Sequence, residues 1–282
     1  METVQSIKET RELIKSWRRN GYTIGLVPTM GFLHEGHKSL IKKASAENDK
    51  VVVSIFVNPI QFGPNEDLTS YPRDLEKDKI TCDNAGADLI FNPQVSEMYS
   101  DNAVTSVTVD EITEGLCGAK RPIHFRGVCT VVSKLFNIVT PDRAYFGEKD
   151  SQQLAVIKRM VSDLNFDIDI VGCPIIREED GLAKSSRNIY LSDEERKAAT
   201  VLNKSLNSAK DALQNGERYA SKLAHVISEK IDNEPLAKID YIEIVDSVDL
   251  KPVCEITSSI LVAIAIYIGK TRLIDNFTWN FK

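Results

Sequence analysis

The sequence predicts an α/β fold: a parallel β-sheet with helices on both faces, followed by a smaller C-terminal α+β domain. Three observations predict it. Short apolar, β-branched runs alternate with longer amphipathic stretches through residues 1–175, the texture of a parallel sheet with crossover helices. Glycines stand where helices should stop, Gly21 and Gly86 among them. From about residue 176 the alternation gives way to two long helical stretches and then three short strands. The expected domains are therefore a Rossmann-like unit at 1–175 and a smaller unit at 176–282.

Element by element, Val4 to Asn20 reads as an amphipathic helix stopped by Gly21. Thr23–Val27 is an apolar strand, Gly36–Glu47 a helix, Val51–Val57 a strand, and Arg73–Ala85 a helix closed by Gly86. Asp88–Phe91 is a short strand, Gly127–Val139 a helix, Arg143–Phe146 a strand, Ser151–Asp163 a helix and Ile168–Val171 a strand. Ligands in such sheets sit beyond the carboxyl ends of the strands. In the smaller unit, Ser192-Asp193-Glu194-Glu195 has the S-x-x-E form of a capping box before a long helix to about Gln214. A second helix covers Ala220–Ile231, and strands are expected near Ile239–Val245, Ile260–Ile268 and Arg272–Asn276. This half has the make-up of a lid.

Composition narrows the function classes. The chain has 282 residues, enough for two domains, and a net charge of −6. That acidic balance argues against general nucleic-acid binding. Five cysteines, Cys82, Cys117, Cys129, Cys173 and Cys254, are scattered and odd in number, which suits a reduced cytoplasmic protein better than a disulfide framework. The charged N-terminus lacks the apolar stretch of a signal peptide. The longest apolar run, Ile260–Ile268, is too short to span a bilayer. No membrane association is expected.

The densest chemical signal is Val27-Pro28-Thr29-Met30-Gly31-Phe32-Leu33-His34-Glu35-Gly36-His37. A strand running through a glycine turn into a helix N-terminus offers unpaired N–H groups and a favourable dipole to phosphate. Two imidazoles there can donate to a triphosphate and to charge developing as it breaks. The pattern resembles the H-x-G-H signature of the nucleotidyltransferase superfamily. A surface turn carrying two histidines is the plain alternative. Zinc is a third, but His124 and His225 lie far away in sequence and no C-x-x-C occurs.

Five further segments carry candidate chemistry. Asn58 and Gln61 in Asn58-Pro59-Ile60-Gln61 follow the second strong strand, where amides can read hydroxyls and a carboxylate; an ordinary Asn-Pro turn is the alternative. Gly147-Glu148-Lys149-Asp150, with Gln152 and Gln153, lies at another strand-to-helix junction, as either a phosphate and ribose contact or a simple Asp cap. Ala183-Lys184-Ser185-Ser186-Arg187-Asn188 resembles the mobile K-M-S-K-S loop of adenylating enzymes, or is a polar linker. His124 and Arg126 precede a helix, and Asp74 and Asp78 share one helix face. Such carboxylates can join phosphates in holding Mg²⁺, although surface carboxylates are common.

Together the segments P-T-M-G-F-L-H-E-G-H, F-V-N-P-I-Q-F, Y-P-R-D, R-P-I-H-F-R-G-V, F-G-E-K-D-S-Q-Q-L, S-S-R-N and R-L-I-D-N resemble the pantothenate synthetase (pantoate–β-alanine ligase) family. They run in family order from Pro28 to Asn276. The resemblance implies an ATP-dependent ligase that condenses (R)-pantoate with β-alanine through a pantoyl adenylate, yielding pantothenate, AMP and pyrophosphate. It implies ATP contacts at Met30, Gly31, Phe32, Leu33, His34, Glu35, Gly36 and His37. Further ATP contacts fall at Gly147, Glu148, Lys149, Asp150, Ile176, Lys184, Ser185, Ser186 and Arg187. His37, His34, Lys149, Ser185 and Arg187 carry the catalytic roles. Gln61, Gln153 and Asn58 hold pantoate and β-alanine, and Asp78 is the Mg²⁺ candidate. His124 and Arg126 are pocket or supporting residues. Mg²⁺ accompanies ATP, no tightly bound organic cofactor is expected, and the family suggests a homodimer. Family members often have Met or Leu where this chain has Lys184. The competing readings are another small-molecule nucleotidyltransferase and a non-catalytic nucleotide-binding regulator on the same fold.

Overall fold

The computed structural model describes residues 1–64 and 66–281. The chain forms two compact units, one of Met1–Glu148 with Gln153–Pro174 and one of Lys149–Gln152 with Ile175–Lys282.

The first unit is built on six parallel strands: β1 Glu2–Val4, β2 Ile24–Thr29, β3 Lys50–Ile55, β4 Leu89–Phe91, β5 Arg143–Gly147 and β6 Asp169–Cys173. Their spatial order is β1-β4-β3-β2-β5-β6. The chain winds outward from β2 on one side and from β5 on the other, so the switch point lies between these two strands, where open α/β sheets bind ligands. The helices are α1 Ile7–Arg19, α2 Glu35–Glu47, α3 Leu75–Ala85, α4 Val95–Met98, α5 Leu116–Lys120, α6 His124–Val139 and α7 Ser151–Asp163.

Successive side chains of a strand face opposite sides of the sheet, and the core divides accordingly. Ile24, Leu26 and Val52 pack with Ile14 of α1, Val128 and Val132 of α6, and Leu154 and Ile157 of α7. Val27, Val51, Val53 and Ile55 pack with Leu40 and Ile41 of α2 and Cys82 of α3. Helices thus cover both faces, as expected. Ser6 caps α1 by accepting from Glu9 N–H, and Gly86 closes α3 in the left-handed conformation.

The second unit has α8 Asp193–Ala198, α9 Val201–Gln214 and α10 Ala220–Asp232, with antiparallel strands β7 Ala237–Asp246, β8 Ile260–Ile268 and β9 Thr271–Trp279 in that spatial order. Leu202, Leu206 and Leu213 of α9 and Leu223, Ile227 and Ile231 of α10 share a core with Ile260, Val262, Ile264 and Ile266 of β8.

Two expectations need correction. Val4 ends the short strand β1 rather than starting the first helix, which begins at Ile7. A three-residue edge strand has too little pattern to read, and it exists because Glu2–Val4 pairs with Leu89–Phe91. The long helix from residue 192 is two helices. Thr200 N–H and Leu202 N–H each bond three residues back, to Lys197 and Ala199, and the Thr200 hydroxyl also takes the Lys197 carbonyl at 2.7 Å. That local side-chain competition breaks the regular ladder.

Candidate active site

The first strand-to-helix loop is a tightly determined turn. Gly31 has φ +83° and Phe32 φ +52°, two successive left-handed residues. The N–H groups of Phe32 and Leu33 converge on one anion. The anion is internal: Asp78 of α3 accepts from Phe32 N at 2.8 Å and from Leu33 N at 2.6 Å. Thr29 accepts from Gly31 N at 3.2 Å while donating to the Ser54 carbonyl at 2.8 Å. A Cβ on Gly31 would lie 3.0 Å from Asp78 Oδ2 and from Ile55. The strain of a left-handed Phe, roughly 1–3 kcal/mol, is offset by these bonds. Asp78 is buried, and burial pushes its carboxyl above the ordinary value against the two N–H bonds, which pull it down.

His34 is the N-cap of α2. Gly36 N–H donates to its Nδ1 at 3.1 Å, and His34 N–H donates to His37 Nδ1 at 3.3 Å, a capping box made of two imidazoles. An N–H donor at each Nδ1 requires a bare nitrogen there. The hydrogen bonds therefore assign the neutral tautomer with its proton on Nε2 in both rings. The ring centroids lie 4.1 Å apart. The signature glycine also has a reason: a Cβ on Gly36 would fall 2.8 Å from His34 Cε1.

A second cluster lies beside this loop. Asn58 and Gln61 are both buried. Asn58 Nδ2 donates to Gln61 Oε1 at 3.0 Å and to the Gly127 carbonyl at 3.1 Å, and Asn58 Oδ1 accepts from the Tyr99 hydroxyl at 2.8 Å. Gln61 Nε2 faces Met30 Sδ at 3.1 Å, joining the first two motifs. His124 Nδ1 lies 3.1 Å from the Gln61 carbonyl. Gly127 is required where α6 crosses residues 59–61, because a Cβ there would lie 2.5 Å from Gln61 Cα. Arg126 is exposed, and Gln153 is half-buried near the start of α7.

In the second unit, the Lys149 carbonyl accepts from Asn276 Nδ2 at 2.8 Å, and Lys149 Nζ lies 3.9 Å from Asp150 Oδ1. Arg177 grips buried Asp275 with both guanidinium nitrogens, at 2.6 and 3.0 Å. The Ile176 carbonyl accepts from Lys184 N–H at 2.9 Å. Ser185 caps a short turn over Ser186–Tyr190, its hydroxyl accepting from Arg187 N at 3.3 Å. Lys184 Nζ pairs with Glu178 at 2.7 Å.

The first unit therefore gathers Met30–His37, Asn58, Gln61 and His124. The second holds Lys149, Asp150 and Ile176–Arg187. Two candidates also have work within the fold. Asp78 fastens the loop with both oxygens, and Asn58 spends its whole amide on Gln61, Gly127 and Tyr99. Sequence reasoning missed Tyr99, Glu178, and the parts of Asp275 and Asn276. The last two stand inside the quoted R-L-I-D-N segment, and nothing in that string shows what they bind.

Comparison with known proteins settles the family. The family model for pantoate–β-alanine ligase matches residues 2–278. The chain belongs to the pantoate–β-alanine ligase family. It is 69% identical over 280 residues to the pantothenate synthetase of Clostridium acetobutylicum, covering 99% of this chain and 100% of that one. It is 67% identical over 282 residues to that of Enterococcus faecalis, covering both chains fully. Among solved structures, pantothenate synthetase from Thermus thermophilus matches with a TM-score of 0.94 at 45% identity, over 98% of this chain and 99% of that one. The Francisella tularensis ligase, complexed with β,γ-ATP and β-alanine, matches with a TM-score of 0.79 at 37% identity, over 98% of this chain and 97% of that one. As a pantoate–β-alanine ligase the chain is an enzyme of pantothenate biosynthesis that uses ATP.

Proposed function

We propose that the two units divide the chemistry of ATP-dependent pantothenate formation as follows. The observation that carries the assignment is the paired histidine cap: with both Nδ1 atoms fixed as acceptors of main-chain N–H, both rings present Nε2–H at the N-terminus of α2. Donors fixed before the reaction lose no reorganisation energy when charge develops. A pantoate carboxylate oxygen attacks the α-phosphorus of ATP, the bond from that phosphorus to the bridging oxygen breaks, and pyrophosphate leaves with the electron pair. His34 and His37 donate to the phosphate oxygens, with His37 nearest the leaving charge. Gln61 and Gln153 hold pantoate, and Gln61 also faces β-alanine. The neutral amine of β-alanine then attacks the acyl carbon, AMP departs, and the amine proton is lost to solvent.

Lys149, Ser185 and Arg187 serve as further phosphate donors, with Lys184 and Ser186 in the same loop. Gly147, Glu148, Asp150 and Ile176 contact the nucleotide chiefly through main chain. Met30, Gly31, Phe32, Leu33, Glu35 and Gly36 form the ATP loop. Asp78 is buried and each of its oxygens already accepts a loop amide, so the loop is its first task. Among the described residues no group of three or more His, Cys, Asp or Glu is placed for a metal ion. In this reading Mg²⁺ arrives on the ATP phosphates, and no step here depends on a protein-held ion.

The protein works in the cytoplasm as a homodimer. The irregular stretch 103–110 supports an interface on the first unit: it lies in no helix or strand and leaves Val104 almost wholly exposed. Light scattering tests this. No helix among the described residues is long and apolar enough to cross a membrane.

The deciding experiment is pantoate-dependent exchange of labelled pyrophosphate into ATP without β-alanine. Exchange that requires pantoate supports reversible adenylation. Neither exchange nor product, with ATP still bound, would favour a regulator; exchange with another acceptor would favour a different nucleotidyltransferase.

A further inference from the structure

We propose that Tyr99 is a positioning residue that, together with the Gly127 carbonyl, locks the Asn58 amide and so keeps Gln61 offering an N–H and not a carbonyl to the acid substrate. The inference rests on the reading that Gln61 holds pantoate.

The polarity of the chain can be followed from one fixed point. The Gly127 carbonyl can only accept, so the Asn58 atom 3.1 Å from it must be Nδ2. The same nitrogen has a second hydrogen, which goes to Gln61 at 3.0 Å, so the Gln61 atom there must be Oε1. Gln61 is thereby left with Nε2 facing Met30 Sδ and the loop. The arrangement requires Asn58 Oδ1 to have a donor of its own, because it is buried. Tyr99 supplies that donor at 2.8 Å. Its phenol is held at the end of α4 by Tyr99 N–H bonding the Val95 carbonyl at 2.8 Å, with the ring against Phe56 and Lys134. Burial also pushes the phenol well above its usual range, so it stays a donor at all working pH values.

A mandatory N–H at Gln61 has a chemical consequence. It favours an acceptor oxygen, which carboxylates and hydroxyls carry, and disfavours a donor-only group such as an ammonium. The side of the substrate that Gln61 reads is thus held by a main-chain carbonyl and a tyrosine that reach it only through Asn58.

The test is Tyr99→Phe, which keeps the ring and removes only the hydroxyl, assayed by pyrophosphate exchange alongside Gln61→Ala and Gln61→Glu. Tyr99→Phe should raise the pantoate KM about fivefold to tenfold, the scale of one lost hydrogen bond, with the ATP KM near wild type and a modest fall in melting temperature from the Asn58 oxygen left unpaired. Gln61→Glu keeps an acceptor for Asn58 but turns the outward N–H into a carboxylate oxygen, so it should raise the pantoate KM more than Gln61→Ala does. If Tyr99→Phe leaves the pantoate KM within about twofold while Gln61→Ala raises it, the inference is wrong and the pantoate assignment stands. If Gln61→Ala leaves it unchanged, the pantoate assignment itself is wrong. Equal rises in both KM values with a lowered melting temperature would reduce Tyr99 to a packing role. Should Tyr99→Phe fail to fold, a Gln61→Glu variant that binds pantoate better than Gln61→Ala would still overturn the orientation.

Discussion

The main-chain N–H of His34 donates to Nδ1 of His37 at 3.3 Å, so the second histidine of the signature completes the cap that the first begins. The pair is one device: a helix terminus closed by two rings whose remaining nitrogens are both donors.

His37→Ala removes a donor and half of the cap. Losing one preorganised donor to developing charge costs about 10²–10³ in rate, whereas losing a cap costs about 1 kcal/mol of stability. Pyrophosphate exchange should therefore fall by about two orders of magnitude or more in a protein that still melts cooperatively. An unaltered exchange rate in the folded variant would reject the assignment.

Gly36→Ala separates stability from activity in the other direction. Alanine in the first turn of α2 favours helix by up to about 1 kcal/mol over glycine. Its Cβ would nevertheless fall 2.8 Å from His34 Cε1 and 2.9 Å from Nδ1, displacing the ring and the acceptor that Gly36 N–H uses. The variant should melt no lower than wild type and lose at least about tenfold in exchange, the effect of a misplaced catalytic group. Full activity would show that the ring has room to shift without consequence.

Much of this was legible in the sequence because it is local. The strand, glycine turn and capped helix around His34 obey short-range rules, and so do the alternating strands that build the sheet. What was not legible is carried by contacts distant in sequence. Asp78 sits 46 residues from Phe32, and its helix position alone suggested a solvated or metal-binding carboxylate. Tyr99 lies 41 residues from Asn58 in a stretch with no periodic signal. The break at Thr200 depends on one hydroxyl choosing a carbonyl three residues back, a choice that helix patterning does not register.

Asp78→Asn tests the internal anchor. An asparagine side chain has one acceptor oxygen for two N–H groups and turns an NH₂ towards the other, so one buried donor is left unpaired at about 1–3 kcal/mol. A lower melting temperature and a raised ATP KM should appear together, because the ATP loop is what loosens. The pH dependence has a defined sign. With the folded carboxyl raised above its ordinary 3.8, its contribution to stability is fully present below that value and declines as pH rises through the raised one. The advantage of wild type over Asp78→Asn in denaturant midpoint should thus shrink as pH increases across that window. An advantage that grows instead would mean that the two N–H bonds outweigh burial.

The Lys184 ammonium sits on Glu178 at 2.7 Å. Both side chains are partly exposed, at 22% and 34%, and such a pair contributes about 0–1 kcal/mol. A partner held that weakly gives way to a polyphosphate, whose several charges attract the lysine more strongly than one carboxylate does. Two substitutions then pull in opposite directions. Lys184→Met should raise the ATP KM by about twofold to fivefold and leave the pantoate KM unchanged. Glu178→Gln should lower the ATP KM, because the lysine no longer has a carboxylate to leave. If the lysine serves only to hold Glu178, neither variant moves the ATP KM, and both lose the same small increment of stability. Titration of each variant with ATP, monitored by the exchange rate, distinguishes these outcomes.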